Sequence, residues 1–324
     1  MGFLKNGEWH DGWGYADEDS GAFKRDESIF RNWITPDGAA GPTGEGGFAA
    51  EPGRYRLYIS LACPWAHRAN IARHLKGLTG AIELAVVHWR MQEGGWSFRD
   101  GECVTPDPLC GADNLHQIYT RAKPDYSGRV TVPVLWDTQS GTIVSNESAD
   151  ILRMLGTAFD DCGANDLDLY PEGHRDEIDA LNDRVYDTVN NGVYKAGFAT
   201  SQKAYEDAVM PLFAMLDELE QRLEGKDWLV GGQLTEADIR LWTTLIRFDP
   251  VYHGHFKCNI RRIADYPNLA AFTRRIYDLD GLTETVNFKH IQHHYYESHD
   301  HINPTSVVPA GPDPLIPGWQ ASGS

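Results

Sequence analysis

Positive charge is scarce in this chain. Against 47 Asp and Glu stand only 29 Lys and Arg, a formal net charge of -18 at pH 7. So acidic a surface repels phosphate backbones and anionic headgroups, which argues against nucleic acid and membrane as partners. Long apolar runs are missing as well. No stretch approaches the roughly 20 residues of a transmembrane helix. The opening Met1-Gly2-Phe3-Leu4-Lys5-Asn6 has no apolar core of the signal-peptide kind, and position 6 is Asn where a myristoylation signal needs Ser or Thr. Cysteine is sparse: five residues, at 63, 103, 110, 162 and 258. An odd number in a long chain argues against a disulfide framework and for a reducing compartment, so the cytoplasm is expected. There is no internal repeat.

What is present starts with size. A chain of 324 residues predicts two domains, at about 100–200 residues each. Ten tryptophans and fourteen tyrosines serve cores, and aromatics also line sites for flat ring ligands. The most informative stretch is Ser60-Leu61-Ala62-Cys63-Pro64-Trp65-Ala66-His67-Arg68. It follows Tyr55-Arg56-Leu57-Tyr58-Ile59, which reads as a strand, and opens a helical period from Ala66 to Leu78. Proline stands at the first helical position, where its missing N–H costs nothing. Free amides and the positive end of the helix dipole then point at the sulfur, which favours a thiolate. Three residues on stands Ala66, so no dithiol can close, and an outside thiol must resolve any disulfide formed. The plain alternative for Cys63 is a buried structural thiol.

The pattern divides the chain. Residues 1–53 are a polar, aromatic-dotted extension, and 38–47 is too Gly-rich for a regular element. Residues 54–156 alternate. A strand (55–60), a helix (64–77) and a strand (82–89) precede an irregular stretch (90–113). A helix (114–122), two strands (132–136 and 142–145) joined as a hairpin, and a helix (147–155) follow. From 157 to 300 strand signals vanish and helical periods run over 172–191, 201–224, 235–248 and 267–279. Thr235-Glu236-Ala237-Asp238 is an N-cap signature. Residues 301–324, rich in Pro and Gly, are expected as a coil tail.

This order, with a thiol at the first helix, resembles a thioredoxin-type α/β domain. Followed by an all-α half, it resembles the soluble glutathione transferases. Cys63-Pro64-Trp65-Ala66-His67-Arg68 is similar to the glutathionyl-hydroquinone reductases, the xi-class, cysteine-type transferases. Further matching segments are Gly94-Gly95-Trp96-Ser97-Phe98, Val132-Pro133-Val134-Leu135-Trp136-Asp137, Ser145-Asn146-Glu147-Ser148, 190–199 around Tyr194, His293-His294-Tyr295-Tyr296 and Asn303-Pro304.

The resemblance implies glutathione as co-substrate and a homodimer. It implies glutathione contacts from Trp96, Arg129, Val130, Thr131, Val132, Pro133, Glu147 and Ser148. Val132 would pair its backbone with the tripeptide like an added strand edge, before a cis Pro133, and Glu147 and Ser148 would take the γ-glutamyl end. From the residues alone, Glu147 and Ser148 serve equally as a helix cap, Arg129 as a surface charge, and each tyrosine as core. The implied reaction removes glutathione from a glutathionyl-hydroquinone through a mixed disulfide on Cys63. Tyr194 would move the proton, while Tyr252 and Tyr295 would line the ring site and stabilise the thiolate. Tyr296 is the alternative to Tyr295. Rival functions are a conjugating transferase, a thiol transferase or dehydroascorbate reductase, and a non-catalytic binding module.

Two clusters point elsewhere. His290, His293, His294, His299 and His301 crowd the C-terminal region, but no cysteine or paired carboxylate stands beside them at metal spacing, so no metal is expected. Cys103 and Cys110 are seven apart, wrong for a zinc knuckle, and read as loop thiols.

Overall fold

The computed structural model describes residues 2–12, 16–17, 19–24, 27–312 and 315–316. The chain divides into two compact units. One comprises Met1–Trp13, Asp26–Asp168 and Glu284–His294; the other comprises Gly14–Arg25, Leu169–Thr283 and Tyr295–Ser324.

In the first unit, β1 (Gly2–Lys5) and β2 (Glu8–Asp11) form an antiparallel hairpin. Its turn is Asn6-Gly7, both at positive φ (50° and 80°), the conformation a two-residue hairpin loop demands. The expectation for residues 1–53 contained no strand; the Asn-Gly pair was the available signal. Then come β3 (Tyr55–Ile59), α1 (Pro64–Leu75), β4 (Ile82–Val86), α2 (Leu115–Ala122), β5 (Gly128–Arg129), β6 (Val134–Asp137), β7 (Thr142–Ser145) and α3 (Ser148–Thr157). The main sheet runs β4-β3-β6-β7. β3 pairs parallel with β4 and antiparallel with β6, and β6 and β7 form the expected hairpin. All five residues of β3, charged Arg56 among them, are buried, as befits a strand with a neighbour on each edge. β4 stops three residues short of the expected Trp89, because His88 leaves the sheet to donate its amide to the Ser97 carbonyl. A second small sheet has the order β2-β1-β5.

Arg54 and Asp137 clamp the start of β3 to the end of β6. Nε and Nη2 of Arg54 donate to the two carboxylate oxygens at 2.9 and 2.7 Å. Buried Lys76 donates to Asp160 and to the carbonyls of Asn165 and Leu167, tying the chain after α3 back to the end of α1.

The second unit is helical: α4 (Arg175–Val185), α5 (Gly192–Gly197), α6 (Gln202–Arg222), α7 (Glu236–Arg247) and α8 (Pro267–Tyr277). α9 (Phe288–Ser298) is the last helix among the described residues, and Tyr295–Ser298 of it belong to this unit. α4 packs on α7, α5 on α6, and α8 on both α6 and α7. The expected helix over 172–191 is interrupted. It widens into a π-helical turn, Tyr186–Asn190, before α5, and α7 widens likewise at Phe248–Tyr252. The box at Thr235 forms: Asp238 accepts from the Thr235 amide and hydroxyl and also from the Leu229 amide, at 2.8–2.9 Å. α5 and α9 had no counterpart in the sequence reading. Both bury residues on most sides, which erases the amphipathic period. In the expected tail, residues 301–312 and 315–316 hold no helix or strand; the rest of it lies outside the described residues. No helix among the described residues is long and apolar enough to cross a membrane.

Candidate active site

The chain leaves β3 at Ile59 and turns through Ser60-Leu61-Ala62 into Cys63, the N-cap of α1. The Cys63 carbonyl accepts the first helical bond, from His67 at 3.0 Å. Its sulfur accepts from the Ala66 amide at 3.5 Å, so a free helix-terminal N–H does face the sulfur. The same Sγ lies 3.6 Å from the Val132 carbonyl, to which the thiol donates. Val132–Pro133 is a cis peptide bond. Cys63 is half-buried and not disulfide-bonded. Cys63 and Val132, 69 residues apart, are therefore neighbours.

The other expected glutathione contacts lie in this same unit. Tyr119 organises two of them. Its hydroxyl donates to the Thr131 carbonyl at 2.8 Å and accepts from Asn146 at 3.2 Å, which binds the 131 segment to the residue before Glu147. Sequence reasoning passed over Tyr119, a wholly buried helix residue with no motif to mark it. Glu147 is the N-cap of α3: it accepts from the Ala149 amide at 3.1 Å and from the Ser28 hydroxyl at 3.0 Å. The cap reading is thus realised, and Ser28 of the extension was not foreseen. Ser148 is buried at the first helical position. Val130 is buried, and Arg129 pairs with Phe3 in the small sheet. Trp96 is buried and stacks on His294, ring centroids 4.8 Å apart and 23° between planes. His294 Nδ1 donates to the Trp89 carbonyl at 2.7 Å.

In the helical unit three phenols meet. Tyr194 comes from α5, Tyr252 from the π turn after α7, and Tyr295 from α9. The Tyr295 hydroxyl is 2.5 Å from that of Tyr194 and 2.9 Å from that of Tyr252. Tyr252 and Tyr295 are sealed from solvent, while Tyr194 is partly exposed. Burial, then the neighbouring phenols, push the Tyr295 hydroxyl well above the usual tyrosine range, and Arg247 opposes them. Arg247 is itself wholly buried and was not singled out by any motif. Phe256 stacks on Tyr252 at 5.5 Å and 9°. Tyr296 faces elsewhere: its ring meets His255 at 4.7 Å, and burial raises its hydroxyl to about 12. Tyr295, not Tyr296, joins the other two phenols.

The histidines are spoken for locally. His290 bonds the Glu102 carbonyl, His299 bonds His255 at 3.0 Å, and His301 stacks on Phe198. Among the described residues, no three His, Cys, Asp or Glu side chains group as a metal would need. Cys103 and Cys110 lie exposed in their loop; partial desolvation of the sulfur, then the Asp107 carboxylate to which it donates at 2.9 Å, raise the Cys110 thiol.

Family models of the glutathione S-transferase N-terminal and C-terminal domains match residues 62–158 and 202–275. The chain is 58% identical to the glutathionyl-hydroquinone reductase YqjG of Escherichia coli (strain K12), over 96% of this chain and 95% of that one. It is 51% identical to the glutathionyl-hydroquinone reductase PcpF of Sphingobium chlorophenolicum, over 98% of each. The solved glutathione-bound structure of the E. coli protein superposes with a TM-score of 0.90 at 55% identity, covering 97% of both chains.

Proposed function

The chain belongs to the glutathionyl-hydroquinone reductases of the glutathione S-transferase family, and from that premise we propose how its own residues perform the reaction. It is an enzyme that uses glutathione to remove glutathione from glutathionyl-hydroquinones. Cys63 is the nucleophile. Its thiolate attacks the sulfur of the glutathionyl-hydroquinone, forming a Cys63–S–S–glutathione bond. The carbon–sulfur bond breaks, and the ring carbon takes a proton, giving the hydroquinone. A second glutathione thiolate attacks the mixed disulfide at the glutathione sulfur. Oxidised glutathione leaves and the Cys63 thiolate returns. The ring gains two electrons and the two glutathiones lose two, so the cycle balances.

Sulfur leaves an aromatic carbon only when the ring takes up a keto form or otherwise accepts electrons. A proton donor over the ring serves this, and a phenol both donates and stacks. Tyr194 has that role, with Tyr295 and Tyr252 behind it as a hydroxyl chain; its partial exposure supports placing it first. Glutathione is held by Trp96, by Arg129, Val130, Thr131, Val132 and Pro133, and by Glu147 with Ser148. The resemblance to xi-class transferases supports a homodimer, and the sparse, odd cysteines support the cytoplasm. Light scattering tests the dimer.

The observation that carries this reading is the Cys63 sulfur at the mouth of α1, facing a backbone amide. The test is intact-mass analysis after exposure to oxidised glutathione, paired with steady-state turnover of glutathionyl-menadiol. The expected result is one glutathione moiety on Cys63 and release of menadiol. A modified Cys110 with untouched Cys63, or better turnover of chlorodinitrobenzene than of glutathionyl-menadiol, would return the protein to the conjugating transferases.

A further inference from the structure

We propose that the β1–β2 hairpin is a positioning device for glutathione, gripping the two chain segments that carry Trp96 and Arg129–Val132. This rests on the reading that those residues touch the tripeptide. The first grip is on the turn before Trp96. Gly94 and Gly95 both sit at positive φ, 82° and 76°, where a glycine pair is intrinsically free to move. Asp11 of β2 accepts the Gly94 amide at 3.2 Å, and His116 Nδ1 donates to the Gly94 carbonyl at 3.1 Å. Trp9 joins these two partners. Its ring stacks on His116 at 4.8 Å and 20°, and its Nε1–H donates to Asp11 at 2.9 Å. The same ring closes over Gly95 so tightly that a Cβ there would lie 2.8 Å from it.

The second grip is on β5. Phe3 pairs with Arg129 and Leu4 with Gly128. The Asn6 and Gly7 amides donate to the Ser127 hydroxyl at 2.8 Å and the Tyr126 carbonyl at 3.0 Å. Leu4 anchors the strand, with 1% of its surface exposed. A lone hairpin is marginal in water, so hairpin and gripped segments order one another. Loosening the hairpin leaves the glycine turn and β5 to be ordered by the ligand itself, which weakens binding without touching Cys63.

The test is steady-state kinetics of the full chain with glutathionyl-menadiol, varying glutathione. Trp9→Ala is expected to raise KM for glutathione about fivefold, the loss of one aromatic stack, and to leave kcat within about twofold. Trp9→Phe, which keeps a stacking ring, restores KM. An unchanged KM in Trp9→Ala beside a raised KM in Trp96→Ala overturns the hairpin's role alone. An unchanged KM in both overturns the glutathione contacts beneath it. A fall in kcat at constant KM also overturns the proposal. Should Trp9→Ala fail to fold by circular dichroism, Asp11→Ala removes the grip on Gly94 from an exposed side chain. It must raise KM about twofold or more for the proposal to stand.

Discussion

The unit that carries Cys63 and the helical unit treat buried charge in opposite ways. Asp137 and Asp238 make the point, both wholly sealed from solvent. Burial alone would raise each. In Asp137 it is outweighed by the Arg54 guanidinium, the Ser140 hydroxyl and the Gln139 amide, and the carboxyl falls below its usual range. Asp238 meets only neutral donors, from Leu229 and Thr235, and burial lifts it to about 6. Asp249 behaves like Asp238: the Ile263 and Ala264 amides do not offset burial, and it too rises to about 6. The groups proposed to take part in the reaction differ in their partners too. The Cys63 sulfur accepts from the Ala66 amide and donates to the Val132 carbonyl, whereas the Tyr295 hydroxyl is buried among other hydroxyls and kept protonated. The first unit holds its buried Asp137 as an anion, while the second biases Asp238, Asp249 and Tyr295 toward the proton.

The largest effect is expected from removing the proposed nucleophile. Cys63→Ala is expected to lower reductase turnover at least about a thousandfold, and Cys63→Ser to leave at most a trace; undiminished steady-state rates would end the thiolate mechanism. Next is the proton. Tyr194→Phe should slow hydroquinone release about a hundredfold while KM for glutathione holds, read by single-turnover product analysis. An unchanged release rate removes Tyr194 from proton transfer. Third, Asp137→Asn leaves Arg54 with a neutral partner in a buried bidentate pair. It should cost about 3 kcal/mol in urea unfolding, and a loss within error would mean Glu51 and the Gly47 carbonyl already suffice for Arg54.

The smallest effect is in pH dependence. An Asp raised to about 6 in the folded chain, against about 3.9 unfolded, contributes stability below pH ~4. That contribution is lost as pH rises through about 6. Asp238→Asn should therefore flatten the decline in melting temperature between these values. Asp137, lowered on folding, contributes above the unfolded value and loses that contribution as pH falls beneath it. Its Asn variant should flatten only the acid limb. The same slope in both variants and wild type would erase the contrast.

What could be read from the sequence was whatever is encoded over a few neighbouring residues. The turn from β3 into α1, the β6–β7 hairpin and the Thr235 box each depend on contacts within a handful of positions. The phenol cluster does not: its hydroxyl bonds join residues 101 and 43 apart. Only a resemblance could nominate Tyr194, Tyr252 and Tyr295 together. Tyr119 and Arg247 have no motif, because their importance comes from what surrounds them. The β1–β2 hairpin was legible in principle from Asn6-Gly7, but its four-residue strands bury a single side chain, Leu4, too little for an alternating pattern to register.

The wide turn after α7 has its own consequence. Phe248–Tyr252 spends one residue more per hydrogen-bonded loop than an α-helix does. The His253 amide closes that loop on the Phe248 carbonyl at 2.8 Å, and Tyr252 lies just inside it, so the bearing of Tyr252 around the helix axis is set by the surplus residue. Excising one position between Phe248 and Val251 would swing the phenol by roughly 100° and point it away from its partner on α9, with no side chain of the trio altered. The identity of Tyr252 and the phase at which the chain delivers it are thus separate inheritances, and a lineage could lose the second while an alignment column still displayed the first.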